Sequence, residues 1–355
     1  MNTPQRWSIA SLAILFAVFP QSGATAAEEA KASPGNGAYE VARIFQIGGD
    51  GRWDYAICDT AARRIYLTRQ THVQVVDETS GQVVADLKDT PGCHGVALVP
   101  ELGRAFVSNG QGGSVSVFDM KTGNAIGTTP AGKNPDAILY DSASRRVLAF
   151  NGKSHDVTVI DATAAPGPTA VAGQISLEGK PEFAATDGAG HVFVNLEDKN
   201  AIAVIDPMVM KVTSVWKVEG GDEPSGLAID ARHHHLFAGC GNEVMAILDS
   251  QTGKTLGTVP IGKGVDACGF DPGTGEAFAS CGDGTLTVVK EDSAGKFFVE
   301  QTVKTRRGAR TLALEPATHT IYLPTAELAD AQAGAKRPTP KPGTFMLVVV
   351  APAQK

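Results

Sequence analysis

From Tyr39 onward, apolar residues come in short runs rich in Val, Ile, Phe and Ala, such as RAFVSN, VSVFD, RVLAFN, VTVID, HLFAGC and VMAILD. Clusters of Gly, Asp, Asn, Pro and Thr separate them. None sustains the spacing of an amphipathic helix, whereas their length and β-branched content are those of half-buried strands, so the pattern predicts an all-β chain. The pattern also repeats. A first strand passes through a Pro/Asp/Gly turn to a second, a loop of variable length leads to a third ending in Asp, and a Thr-Gly or similar turn leads to a fourth. The third-strand aspartates are Asp77, Asp119, Asp161, Asp206 and Asp249, spaced by a little over forty residues. Four antiparallel strands in about 40–45 residues make one blade of a β-propeller.

First strands open near Asp54, His94, Asp136, Glu182, Ser225, Asp266 and Arg310, which predicts seven blades. The last blade has a first strand (TLALEP), a second (TIYLP) and a third (TFMLVVVA) but no fourth, while YEVARIFQIG, ahead of the first blade, reads like the other fourth strands. The expected fold is therefore an all-β, seven-bladed β-propeller over residues 39–355, closed by an N-terminal strand that completes the last blade and leaves no open edge. Its one large departure from the repeat is AELADAQAGAKRPTPKPGT, an insertion at 326–344 between the second and third strands of the last blade.

The first residues read differently. Arg6 gives a basic start, Ser8 to Phe19 are mostly apolar, and Ala24-Thr25-Ala26 offers a small-x-small cleavage site, so residues 1–26 read as a secretory signal peptide and 27–38 as a flexible segment. The apolar run is too short to span a bilayer, and the first cysteine, Cys58, is too distant to be a lipid-anchoring site. An exported protein is expected, periplasmic in a diderm bacterium, monomeric and without a membrane span. The net charge of -7 disfavours nucleic acid as a partner, because neutralising phosphates needs a basic face.

The stretch GVALVPELGRAFVSNGQGGSVSVFDMKTGNAIGTTPAG resembles the YVTN-repeat, YncE-like propellers of exported bacterial proteins, and the resemblance runs over essentially the whole chain after the signal. It implies the propeller fold and a binding or scaffold role, with single-stranded DNA among the ligands proposed for such proteins. Propeller lactonases and lyases share the architecture, so the fold does not decide the chemistry.

Register turns sequence position into location. The residues opening the first strands, Asp54, His94, Asp136, Glu182, Ser225, Asp266 and Arg310, ring the upper mouth of the central channel. The second-strand ends Arg69, Asn109 and Asn151 are expected around them, with Cys240 and Cys281 as free or ligand-facing thiols and a disulfide between them as the alternative. This set fits a small polar ligand or a periplasmic protein partner. Within it Asp54, His94 and Asp136 are the residues suited to a divalent cation, Ca²⁺, Zn²⁺ or Cu²⁺, with no cofactor certain. Cys93 beside His94 has the residue types of a nucleophilic pair, and Trp53 is expected to cap packing between blades. Cys58 and Cys268 read as buried apolar positions. The conspicuous His233-His234-His235 belongs to a turn on the opposite face, where alternating side chains cannot all reach one ion. The insertion lies on the mouth's face, where Lys336, Arg337 and Lys341 offer positive charge over an acidic ring. DSQTGKTLG resembles a quinone-dehydrogenase blade signature, but Gly257 stands where a docking tryptophan is needed. A non-enzymatic binding protein is the leading expectation, and a lactonase-like hydrolase or lyase using a divalent cation is the alternative.

Overall fold

The computed structural model describes residues 38–330 and 338–353, together with Met1. Residues 2–37, which hold nearly all of the expected signal peptide and of the segment expected to follow it, and Lys336 and Arg337 lie outside the described residues. Among the described residues the chain forms seven four-stranded antiparallel sheets, each in the order first-second-third-fourth strand. Blade 2 is typical, with strands Cys93–Val99, Arg104–Asn109, Ser114–Asp119 and Ala125–Pro130. Among the described residues only short 3-10 turns interrupt the strands, and no helix there is long and apolar enough to cross a membrane.

The seventh sheet closes the ring as the sequence predicts. Strand Tyr39–Gln46 pairs antiparallel with Met346–Pro352, in a register running from Tyr39 opposite Pro352 to Gln46 opposite Met346. The closure is also tied sideways to blade 6. The Tyr39 hydroxyl donates to Glu276 Oε2 at 3.0 Å, and its backbone exchanges hydrogen bonds with the Gln301 side chain.

The core lies between blades, in clusters each drawn mainly from two neighbouring sheets. Val99, Phe106, Val115 and Val117 of blade 2, for instance, pack against Val147, Ala149 and Ile160 of blade 3. Second and third strands are therefore buried on both faces, and fourth strands alternate wet and dry, as in Lys211–Lys217.

The repeated aspartate is a turn device. Asp119 Oδ1 accepts from Lys121 N, Thr122 N and Thr122 Oγ1 at 2.7–3.1 Å, and Asp77 and Asp249 do the same in their blades. Each of these turns closes on a glycine in the left-handed region, Gly81, Gly123 or Gly253, where a side chain would be strained. The DSQTGKTLG stretch is thus a hairpin turn of the repeat.

Candidate ligand-binding site at the channel mouth

Five of the seven mouth residues are aimed by an irregularity in their own strands. Ladder pairing in the first strands shifts register between Cys93 and Val96, Pro135 and Ile138, Pro181 and Ala184, Pro224 and Leu227, and Val265 and Ala267. His94, Asp136, Glu182, Ser225 and Asp266 fall inside these bulges, which free them from regular pairing and turn them. Two residues earlier, Gly92, Asn134, Glu223 and Gly264 take positive φ angles of 65°, 56°, 49° and 72°, bending the chain into the strand.

A second device fixes the ring across blades. Thr68 Oγ1 donates to the His94 carbonyl (2.9 Å), Ser108 Oγ to that of Asp136 (2.5 Å), Asn195 Nδ2 to that of Ser225 (2.9 Å) and Ser280 Oγ to that of Arg310 (2.6 Å). Thr311 Oγ1 donates to the Asp54 carbonyl at 2.8 Å and carries the bracing across the closure. Ser108, Asn195 and Ser280 sit next to last in their second strands, in VSN, VNL and ASC, and Thr68 ends its own, in LT. Reading the sequence for ligands passed over them. Their signal was a polar residue inside an otherwise apolar run, which a buried site tolerates only when it is hydrogen-bonded.

The ring residues meet in two linked groups. On the side of blades 1 to 3, His94 Nδ1 lies 2.6 Å from Asp54 Oδ2 and 3.4 Å from Asp136 Oδ1. The His94 ring lies over Gly110, where a Cβ would come within 2.7 Å of Nε2, so only glycine leaves room for it. On the other side, Arg310 joins Asp54 (3.3 Å) to Asp266, and Ser225 Oγ lies 3.3 Å from Asp266 Oδ1. Glu182 faces Lys180 Nζ at 3.5 Å, and Lys180 also pairs with Glu197.

Burial lowers the proton affinity of His94, but the hydrogen bond to Asp54 and the charges of Asp136, Asp54 and Glu182 outweigh it and lift the imidazole to about 9. Burial, reinforced by neighbouring carboxylates, raises Asp136 to about 6 and Glu182 to about 7. At neutral pH the His94 cluster is a protonated imidazole between acids. All three groups bind protons more tightly folded than unfolded, so their stabilisation is fullest at low pH. For the two acids it is lost as pH rises from about 4 through 6 to 7, and for His94 from about 6.5 through 9. Differential scanning calorimetry between pH 5 and 10 should show a falling midpoint, with His94→Gln removing on the order of 2–3 kcal/mol of the decline. A midpoint that rises from pH 6 to 9 would contradict the assignment.

Several residues expected at the mouth point elsewhere. Arg69 is only 2% exposed, stacks on Phe345 at 3.6 Å, and donates to Gln74 Oε1 (2.6 Å) and the Asp50 carbonyl (2.8 Å). The Asn109 and Asn151 amides turn into their blades and donate to Ser116 Oγ (2.9 Å) and Thr158 Oγ1 (3.0 Å). All three are buried and brace the structure around their strand ends. Cys93 turns opposite to His94, into the core, and its Sγ donates to the His72 carbonyl at 3.2 Å. The nucleophilic pair is therefore not assembled. All five cysteines are free, and Cys240 and Cys281 are buried core residues rather than ligand-facing ones, with thiols pushed up to about 12 by burial. Cys268 is buried, whereas Cys58 is half-buried. Trp53 packs on Phe345, joining the first and last blades. In the histidine turn, His233 pairs with Asp230 while His235 packs edge-on against Phe297.

The mouth opens into a cavity of about 620 Å³ whose wall includes Glu182, Ser225, Asp266 and Arg310. The insertion contributes its roof through Leu328, Pro338 and Pro340. Its base is a short two-stranded neck, with Ala329 N donating to Thr339 O, Lys341 N to Glu327 O, and Arg52 reaching the Pro338 carbonyl. Lys341 pairs with Glu327 at 3.3 Å, so its charge is spent within the neck rather than over the acidic ring. Deeper in the channel lies a second cavity of about 300 Å³, mostly apolar and lined by Tyr55, Leu98, Leu139 and Phe183 among others. The two cavities share no lining residue. Tyr55, from blade 1, packs on Phe183 (4.9 Å) and joins a core cluster with Ala137 and Ala184, so it reaches across the channel between them.

No family model matches the chain. Over 107 residues it is 32% identical to proteins named YncE from Salmonella typhimurium and Salmonella typhi, a match that spans 30% of this chain and 30% of each relative. Among solved structures it is similar to Kuenenia stuttgartiensis hydrazine synthase (TM-score 0.66, 14% identity, 78% of this chain and 92% of the other). It is also similar to U3-55K (TM-score 0.74, 6% identity, 89% and 100%) and to a chain of the mitotic checkpoint complex (TM-score 0.71, 14% identity, 93% and 97%). At these identities the structural likeness shows the fold alone. The seven blades and the matches to YncE proteins are together consistent with a YncE-like family of propellers.

Proposed function

We propose that this is an exported binding protein whose ligand is a small polar molecule held at the mouth of the propeller channel. The observation that carries this reading is the cavity of about 620 Å³, walled by charged residues from several blades and roofed by the insertion. Few convergent polar groups around a concave, partly apolar space are the usual signature of a small-molecule site. The basic start, apolar run and Ala24-Thr25-Ala26 support export.

The test is a thermal-shift screen of amino acids, sugars, dicarboxylates and polyamines, repeated on Glu182→Gln. At least one class should raise the melting midpoint, by about 3 °C or more at 100 times its Kd, and the isosteric variant should lose most of the shift. A screen in which no class shifts the native protein would overturn the reading.

A second reading is favoured by Asp54, His94 and Asp136, whose ligand atoms all lie within 4.8 Å of one another. A divalent ion there, as a lactonase-like hydrolase would require, must first displace the proton that His94 holds between the two acids. Calorimetric titration with Ca²⁺, Zn²⁺ and Cu²⁺ at pH 7 separates the two: heat that disappears in His94→Gln supports the ion, and no heat dismisses it.

A further inference from the structure

The charges around the upper cavity are sorted by direction. On the side of blades 4 and 5 stand Glu182, Glu197 and Glu223, and across from them, on blades 6 and 7 and the approach to blade 1, stand Lys263, Arg307, Arg310 and Arg52. The opposing charges on each side are engaged locally. Lys180, on the acidic side, is bound between Glu182 and Glu197. Asp266, on the basic side, is bound to Arg310, and Asp283 accepts from Lys263 N at 2.8 Å and from Thr285 Oγ1 at 2.7 Å. Each wall keeps an excess of its own sign. Trp53, Val265, Leu328 and the two prolines of the roof supply apolar surface around the same space.

One oxygen sharpens the picture. Glu182 Oε2 is shielded from solvent and has no hydrogen-bond donor, with Lys180 Nζ 3.5 Å away. A buried carboxylate oxygen in that state costs free energy that an incoming donor would recover. Burial and the nearby Asp136 charge raise the proton affinity of Glu182 against the opposing pull of Lys180.

We infer that the mouth cavity takes a zwitterion with an apolar body, an amino acid or short peptide, its ammonium group on Glu182 and its carboxylate on the Arg307 side. This inference rests on the proposed ligand-binding role and specifies it. Charges fixed on opposite walls favour a molecule carrying both signs in the matching sense and disfavour one carrying either sign alone, because the vacant wall then stays uncompensated.

The experiment is isothermal titration calorimetry on the full protein with leucine, Ala-Leu and Ala-Leu-Ala, each compared with its N-acetyl and methyl-ester derivatives. At least one free zwitterion should bind, and removing either charge should weaken it at least tenfold. Glu182→Gln should abolish the penalty for acetylation but keep that for esterification, and Arg307→Gln should do the reverse. Equal binding of the free and capped forms, or tighter binding of a capped one, overturns the inference while leaving a polar site at the mouth. Failure of the whole series to bind also overturns it. The sugar, dicarboxylate and polyamine arms of the thermal-shift screen then show whether the broader binding role falls too.

Discussion

Removing residues 38–46 should leave a chain that aggregates or melts about 15 °C or more below the full protein. The strand Tyr39–Gln46 pairs along the whole of Met346–Pro352, whose Leu347, Val348 and Val350 are fully buried. Without it that strand becomes an apolar, unpaired edge, and blade 7 loses the Tyr39 contacts with Glu276 and Gln301. A synthetic YEVARIFQ peptide added at millimolar concentration should restore part of the loss by pairing with the exposed edge. An unchanged midpoint by differential scanning calorimetry would mean that the ring does not depend on this closure.

Arg69→Ala should be the most damaging single substitution at the mouth, costing about 3–5 kcal/mol. The guanidinium is buried, lies against Phe345 of blade 7, and ties Gln74 of blade 1 to the Asp50 carbonyl of the segment entering it. Burial lowers its pKa to about 10, which still leaves it charged at neutral pH. Alanine removes the stacking, the hydrogen bonds and the packed stem together. Arg69→Met keeps the stem and should recover about half. Chemical denaturation followed by tryptophan fluorescence reads both, and an alanine variant with the native midpoint would show that the brace is dispensable.

The architecture was legible because a propeller repeats its pattern, and the signature aspartate and turn glycine recur where the hairpin geometry requires them. The closing strand was legible for a related reason: a blade lacking its fourth strand and an unassigned strand ahead of blade 1 complete each other. Which residues open the first strands was legible too. Their company was not. Arg69, Asn109 and Asn151 stand at the right end of their strands, but the rim of the channel is built mainly by the bulged first strands, and these second-strand ends turn inward to brace third strands. Alternation of side chains also sends Cys93 and His94 apart, which adjacency in sequence concealed. The insertion's placement over the mouth followed from register, whereas the pairing of Lys341 with Glu327 follows from the neck it forms, which no repeat predicts.

Tyr55 and Phe183 meet across the channel, from blades 1 and 4, with ring centroids 4.9 Å apart. These blades are not neighbours, so the contact is a strut through the middle of the ring, in addition to the strand pairing that clasps its edge. Blades 1 and 4 are thereby coupled directly as well as through blades 2 and 3.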